Sequence, residues 1–404
     1  MDTGKLAMVL PQLPVERTKL LDNLGRVRRE VGPITPELSD ALADHMNIRR
    51  GEVHEVVSFY SFLQVPVETP RVCTGPICDC FGGRELLERT PGAIEVACLG
   101  HCDLAPVMTR GDEILPEVTH STNDGPALGL GQRDDSIADY TARGGLALLR
   151  DLPAPDRMIG ELKTSGLTGY GGAGFPTGLK WEAVSREPAP RYVVVNADEG
   201  EPGTIKDRYV MELRPHLFVE SVLIAMRFAE AAAGYIYLRE EYASARARVQ
   251  QAIDELRTAG FLDGLSLELV IGAGAYIAGE ESAMLESMEG RRAMPRLRPP
   301  FPAQVGYLGR PTLINNVETL AHIPAILRNG GEWWAGHGTR GAPGTRLWSV
   351  SGAVGRPGCY EAPNGVTLRE LVDEHAGGFT GEIGAIVPGG AASGILPSSA
   401  LDAP

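Results

Sequence analysis

The chain has 404 residues, 43% of them hydrophobic and 22% charged. That is enough material for two to four domains with buried cores, and it excludes a disordered chain. Lysine plus arginine is 38 against 52 aspartates and glutamates, a net charge of −14, which argues against a global nucleic-acid footprint while leaving room for a local basic patch, and no nucleic-acid partner is expected. Six cysteines are too few for a secreted disulfide scaffold; five fall from Cys73 to Cys102, four of them in two close pairs, as a metal site in a reducing compartment would have them. The N-terminal LAMVLPQLPV lacks a basic region and a cleavage site, and the longest apolar stretch carries Glu220, Arg227 and Glu230. A cytoplasmic location without direct membrane insertion is therefore expected.

Residues 14–62 read as helices. Pro36 suits a first helical turn, and Val53, Val56, Val57 and Tyr60 recur on one helical face. RVC, FGGRELLER and IEVACLG read as strand, helix, strand, closing a small α/β unit near residue 110. Residues 108–135 are polar and Gly-rich without a sustained period, which predicts a domain boundary. The expected division is 1–110, a linker over 111–150, an α/β domain over 151–334 and a last domain over 335–404. Within the α/β part, YVVVN (192–196), YIYL (235–238) and LELVI (267–271) are apolar runs of the kind buried on both faces of a parallel sheet. A helix with Tyr242, Ala245, Val249, Ile253 and Leu256 on one face lies between the last two, with Gly260 as its stop. RLWSVSGA predicts a further strand, and VTLRELVDEHAGGF a short capped helix.

The cysteines are spaced Cys73-x4-Cys78 and Cys98-x3-Cys102, nineteen residues apart, with Cys80 as a spare thiol in the gap. Four thiolates suit a [2Fe–2S] cluster or, with less typical spacing, zinc; buried structural cysteines are the bland alternative. Both pairs follow strands, where small residues let backbone N–H groups approach the sulfurs. CTGPIC and CLGHCDLAP, with the preceding helices, resemble the thioredoxin-like [2Fe–2S] subunit of respiratory complex I and its soluble relatives. That resemblance implies that Cys73, Cys78, Cys98 and Cys102 are the ligands. The gap of nineteen is shorter than the family's usual one.

Three loops carry a second chemistry. In GYGGAGFPTGLKW (169–181), four glycines in six residues permit close backbone approach to a phosphate or flat ring, with Lys180 as a cation and Phe175 as a stacking face. The spacing is not that of a standard dinucleotide loop, and a structural turn is the plain alternative. VNADEGEPGTIKD (195–207) follows a buried strand, where α/β ligands bind; a solvated acidic loop is its alternative. IGAGAYIAGEESA (271–283) leads into a helix near Gly279, so Glu280 and Glu281 also fit as ordinary first-turn acids. The five arginines of 289–320 suit a phosphate-bearing ligand or a carboxylate-paired surface.

Together, GYGGAGFPTGLKW, VNADEGEPGTIKD, GAGAYIAGEE and PPFPAQVG…PTLINNVETL closely resemble the FMN- and NADH-binding subunit of complex I and the diaphorase subunits of soluble NAD-dependent formate dehydrogenases and NAD-reducing hydrogenases. The resemblance covers about 166–404. It implies an α/β chain with a thioredoxin-like [2Fe–2S] domain, a Rossmann-like FMN/NADH domain and a C-terminal ubiquitin-like (β-grasp, SLBB) domain. By matching position, Gly169, Gly171, Gly172 and Lys180 would line the FMN phosphate and ring. Asn196, Asp198, Glu199, Tyr276, Gly279, Glu280, Asn315 and Asn316 would complete the flavin pocket. Phe175, Glu201, Glu281, Arg298 and Phe301 would hold NADH. No side chain is expected to act as an acid or base, Glu199 and Glu281 being pocket residues of a hydride transfer carried by FMN. Ala278 stands where the family commonly has Cys, and Tyr170 where it often has Arg.

The family's further C-x2-C-x2-C motif is absent, so a [4Fe–4S] cluster is not supported by this chain, which is either short or a fragment. Fusion of the two units points to a soluble enzyme, and PGGAASGILPSS resembles the formate dehydrogenase diaphorases most. The implied partners are a molybdenum or tungsten catalytic α subunit with iron–sulfur clusters and a further small [2Fe–2S] subunit. An NAD-reducing hydrogenase diaphorase, a fused complex I module and a flavin-free scaffold are the alternatives. Because the flavin pocket and the cysteines lie on either side of a polar linker, a fragment starting near residue 136 is expected to bind FMN and react with NADH alone.

Overall fold

The computed structural model describes residues 3–339, 341–390 and 392–403. Helices Leu20–Glu30, Pro36–Met46 and Arg50–Phe59 form the N-terminal layer. Thr35 caps the second by accepting the Leu38 N–H, with Pro36 in its first turn, and Val53, Val56, Val57 and Tyr60 are all buried. Next, β1 (Arg71–Cys73) runs parallel to β2 (Ile94–Val96), joined through helices Pro76–Cys80 and Gly83–Arg89. β3 (Met108–Arg110) is antiparallel to β1 and turns into β4 (Glu113–Leu115), giving the order β2-β1-β3-β4. This hairpin crosses the expected boundary at 110. Strands of three residues are too short for alternation to show in a sequence.

The central sheet is β5 (Arg191–Ala197), β6 (Ala231–Leu238), β7 (Leu267–Ile271) and β8 (Thr312–Asn316), all parallel, in the order β7-β6-β5-β8. Side chains alternate between its faces. Val193, Val195, Ile236, Leu238 and Leu313 join one core with helices Pro215–Phe228, Ala243–Thr258 and Val317–Asn329. Val194, Tyr237, Val270 and Ile314 join another, whose remaining members come largely from residues 6–63 and from helix Glu281–Met288. The N-terminal helices are thus the second cover of the flavin-domain sheet. Tyr60 Oη donates to Ser287 Oγ (2.7 Å), which also bonds Tyr237 Oη (2.8 Å). This packing runs against the expectation of an independent fragment, because residues 6–63 supply most of the cover over one face of that sheet.

The stretch read as a linker is a strap. The Glu361 carboxylate accepts the N–H groups of Ala127 (3.0 Å) and Leu128 (2.9 Å), and Arg214 donates to the carbonyls of Leu128 and Gly129. β9 (Thr345–Val350) and β10 (Gly358–Pro363) pair antiparallel over a small core of Val350, Tyr360, Leu371 and Val372. Thr367 and Glu370 form the capping box of the short helix read from the sequence. Among the described residues, no helix is long and apolar enough to cross a membrane.

Candidate flavin, nucleotide and cluster sites

The chain leaves β5 toward β6 and β7, then returns to place β8 on the other side of β5. The crevice beyond the carboxyl ends of β5 and β8 is the switch point where such sheets bind ligands. Register pairs Val195 with Asn315 and Asn196 with Asn316 there. Asn196 donates to the Gly279 carbonyl (2.7 Å) and accepts the Asp198 N–H (3.1 Å), tying the second and third loops together. Asn315 accepts from the Trp181 indole (3.1 Å), and Lys180 Nζ donates to the Ile314 carbonyl (3.1 Å). Asn316 caps helix Val317–Asn329. The glycine loop closes on itself through Gly169 N–H to the Phe175 carbonyl (2.9 Å) and docks through Tyr170 N–H to Thr319 Oγ1 (2.8 Å). Gly172 has φ +114°, and a side chain on Gly171 would press on Asn316 at 3.3 Å, so backbone rather than side chains faces the crevice here.

Asp198 Oδ2 is buried without a hydrogen-bond partner. Burial pushes the Asp198 carboxyl up to about 7, against the pull of Arg239. A buried acceptor without a partner, two residues beyond Asn196, fits a hydroxyl-bearing ligand such as the ribityl chain of FMN. Glu199 accepts from the N–H groups of Asp207 and Arg208 and from Tyr242 Oη (2.9 Å). Burial, then Asp207, push Glu199 up to about 7. Sequence reasoning missed the cation at the centre of this group. Lys206 Nζ lies 2.8 Å from Asp207 and 3.2 Å from Glu318. Burial works against its charge, but Asp207, Glu318 and Glu199 outweigh it and hold Lys206 above the ordinary lysine range. The signal was in TIKD itself, since buried acids need a buried cation.

At the expected nucleotide side, Phe175 and Phe301 are 51% and 52% exposed, and Tyr276 is 65% exposed. Glu201 is held by Tyr276 Oη (2.5 Å) and the Ala392 N–H (2.7 Å). Arg298 pairs with Glu280 and, at 3.4 Å, with Glu281, which also lies 3.6 Å from Lys180. Glu280 is the N-cap of helix Glu281–Met288 and accepts from Ser282 and Ala283, whereas Glu281 is the acid of the first turn. Arg291, Arg292, Arg296 and Arg298, four of the five arginines, are carboxylate-paired.

Cys73 ends β1, and the Cys78 and Cys98 thiols are near enough to shift its own. Cys98 Sγ lies 3.9 Å from Cys102 Sγ. The four thiols therefore form one connected group, while Cys80 is exposed. Among the described residues no three His, Cys, Asp or Glu side chains close on a single metal-ion position. Two thiol pairs suit two irons, each taking two thiolates, better than one tetrahedral zinc. The loop of the second pair is seated in the flavin domain. Asp103 receives both bonds from Arg208 Nη2 (2.6 and 2.8 Å) and one from Tyr209 (2.7 Å). Gly100 has φ +71° and abuts the Tyr242 ring, which a side chain there would strike at 2.3 Å.

A parallel sheet with a switch-point crevice, beside four gathered thiols, defines a flavin-binding protein with an iron–sulfur domain. The Nuo51 FMN-binding domain matches residues 162–325, the thioredoxin-like [2Fe–2S] ferredoxin family 6–97 and the SLBB domain 348–391. The chain is 44% identical over 313 residues to the NADH-quinone oxidoreductase F subunit of Mycobacterium bovis, covering 73% of this chain and 69% of that one. It is 46% identical to the second F subunit of NADH-quinone oxidoreductase of Rhizobium meliloti, over 66% of each chain. It is 45% identical to the mitochondrial 51 kDa subunit of NADH-ubiquinone oxidoreductase of Neurospora crassa, over 62% of this chain and 54% of the other. The chain thus spans between about half and two thirds of the length of these last two relatives. A solved NAD+-reducing [NiFe]-hydrogenase superposes with TM-score 0.83 at 31% identity, covering 96% of this chain and 75% of that one. The chain belongs to the 51 kDa-type (F-type) family of NADH-quinone oxidoreductase subunits, fused here to a thioredoxin-like [2Fe–2S] domain. Its cofactors are FMN, NAD(H) and a [2Fe–2S] cluster.

Proposed function

We propose that the chain is the NAD(H):FMN electron-transfer subunit of a multi-subunit oxidoreductase. The observation that carries this reading is the crevice at Asn196 and Asn316, with the buried, unpartnered Asp198 oxygen beside it. Gly169, Gly171, Gly172 and Lys180 would border the flavin phosphate and ring. Asn196, Asp198, Glu199, Tyr276, Gly279, Glu280, Asn315 and Asn316 would hold the rest of it. Phe175, Glu201, Glu281, Arg298 and Phe301 would orient the nucleotide, and Cys73, Cys78, Cys98 and Cys102 would ligate the cluster. Bound FMN supplies hydride acceptance and release of single electrons; the chain positions the two redox groups and keeps the pocket polar where they bind. The test is NADH-dependent ferricyanide reduction by flavin-loaded protein, with Asp198→Ala expected to lose flavin.

For the distal partner we propose a molybdenum or tungsten formate dehydrogenase subunit, supported by the likeness of PGGAASGILPSS to such diaphorases. A second reading, an NAD-reducing hydrogenase, is favoured by the superposition covering 96% of this chain. Co-purifying subunits, assayed with formate and with hydrogen for NAD+ reduction, distinguish them.

A further inference from the structure

Arg239 stands at the end of β6 and is 6% exposed. Its guanidinium spans two sites. Nη1 donates to the backbone carbonyl of Glu199 in the flavin pocket, and Nη2 donates to the backbone carbonyl of Cys98 at 3.0 Å. The counter-ion is Glu241, whose carboxylate takes Nη2 at 2.8 Å and Nε at 3.2 Å and is similarly buried. A second contact runs the same way. The N–H of Gly203, in the loop that carries Glu199 and Glu201, donates to Cys102 Sγ at 3.3 Å. Both expected ligands of the second thiol pair are therefore touched by groups of the flavin domain. The thioredoxin-like domain contributes the Gly100 N–H to Cys98 Sγ, at 3.3 Å.

We propose that Arg239 and its counter-ion Glu241 set the reduction potential of the [2Fe–2S] cluster from the flavin-domain side. Reduction adds one electron, and so one negative charge, to the cluster. A fixed cation beside a ligand favours the reduced state and raises the potential, and a fixed anion does the reverse. Burial keeps these charges little screened by solvent. Glu241 binds Nε and the same Nη2 that reaches Cys98, so it offsets the cation without taking the guanidinium away from either carbonyl. Arg239 is a positioning and electrostatic residue here, and it is not a ligand.

The inference depends on the ligand set proposed above, and the experiment separates the two. The full chain, reconstituted with FMN and cluster, is titrated anaerobically while the reduced-cluster EPR signal is followed. Arg239→Gln should lower the potential and Glu241→Gln should raise it, each by about a tenfold change in the reduction equilibrium, ~59 mV for one electron. Arg239→Lys, which retains the charge, should stay close to wild type. The EPR line shape should be unchanged in all three, and all are compared at full FMN loading. Shifts of the same sign, or none, with the signal intact would overturn the inference while leaving the ligand set standing. Absence of a [2Fe–2S] signal in wild-type protein would instead overturn the ligand reading. Should Arg239→Gln fail to fold, Glu241→Gln decides alone: an upward shift supports the proposal, and an unchanged or lower potential contradicts it.

Discussion

Arg208 grips Asp103 with one guanidinium nitrogen at 2.6 and 2.8 Å from the two carboxylate oxygens, and neither side chain is more than 1% exposed. Asp103 directly follows Cys102, whereas Arg208 belongs to helix Lys206–Leu213 of the flavin domain. A buried pair is costly to break because the remaining charge stays desolvated.

Asp103→Ala is accordingly expected to destabilise the chain by about 3–5 kcal/mol. Chemical denaturation followed by circular dichroism measures this. A loss under ~1 kcal/mol would mean that the contact does not hold the two domains together.

A fragment beginning at residue 136 should be aggregation-prone and poor in FMN, because it strips the cover from Val194, Tyr237, Val270 and Ile314. Co-expression with residues 1–135 should restore soluble, flavin-loaded protein. A soluble fragment with stoichiometric FMN would refute this dependence.

FMN affinity should depend on pH through Asp198. Its carboxyl is pushed up to about 7 by burial in the ligand-free chain. A ligand hydroxyl donating to the carboxylate favours the ionised form, so binding below that pH must first release a proton. Affinity should rise as pH increases toward about 7 and level off above it. Fluorescence titration of FMN from acid to neutral pH checks the sign, and Asp198→Asn should flatten the curve.

Phe175→Ala and Phe301→Ala should keep FMN while KM for NADH rises about threefold to tenfold, the scale of a lost aromatic stacking contact. Loss of flavin with unchanged KM would reassign both rings.

Cys80→Ser should leave the cluster's EPR signal intact, since this thiol is exposed, and Cys98→Ser should alter or abolish it. The reverse pattern would displace the proposed ligand set.

Much of this architecture was legible because it is written in local patterns. The runs around Val194, Ile236 and Leu269 announced a doubly covered sheet, and the cysteine spacing with its strand-end loops pointed to the thiol group. What the sequence hid was non-local. Nothing in RRGEVHEVVSFY shows that Tyr60 reaches Ser287, 227 positions away. Residues 108–135 looked like a linker because the strap held by Arg214 and Glu361 is tied through the backbone of Ala127 to Gly129 and through the scattered side chains of His120, Asn123 and Asp134, which leaves no side-chain period. Lys206, Glu318 and Arg239 escaped notice for a related reason: a buried charge is identified by its partners, and these come from separate segments.

A chain that carries electrons from NADH through FMN must let NADH reduce its bound flavin. Anaerobic addition of NADH to the reconstituted protein tests it most directly, with flavin absorbance and the cluster's EPR signal read together. NADH should bleach the flavin, and the [2Fe–2S] signal should follow. Flavin that remains oxidised in stoichiometrically FMN-loaded protein with excess NADH would contradict that role.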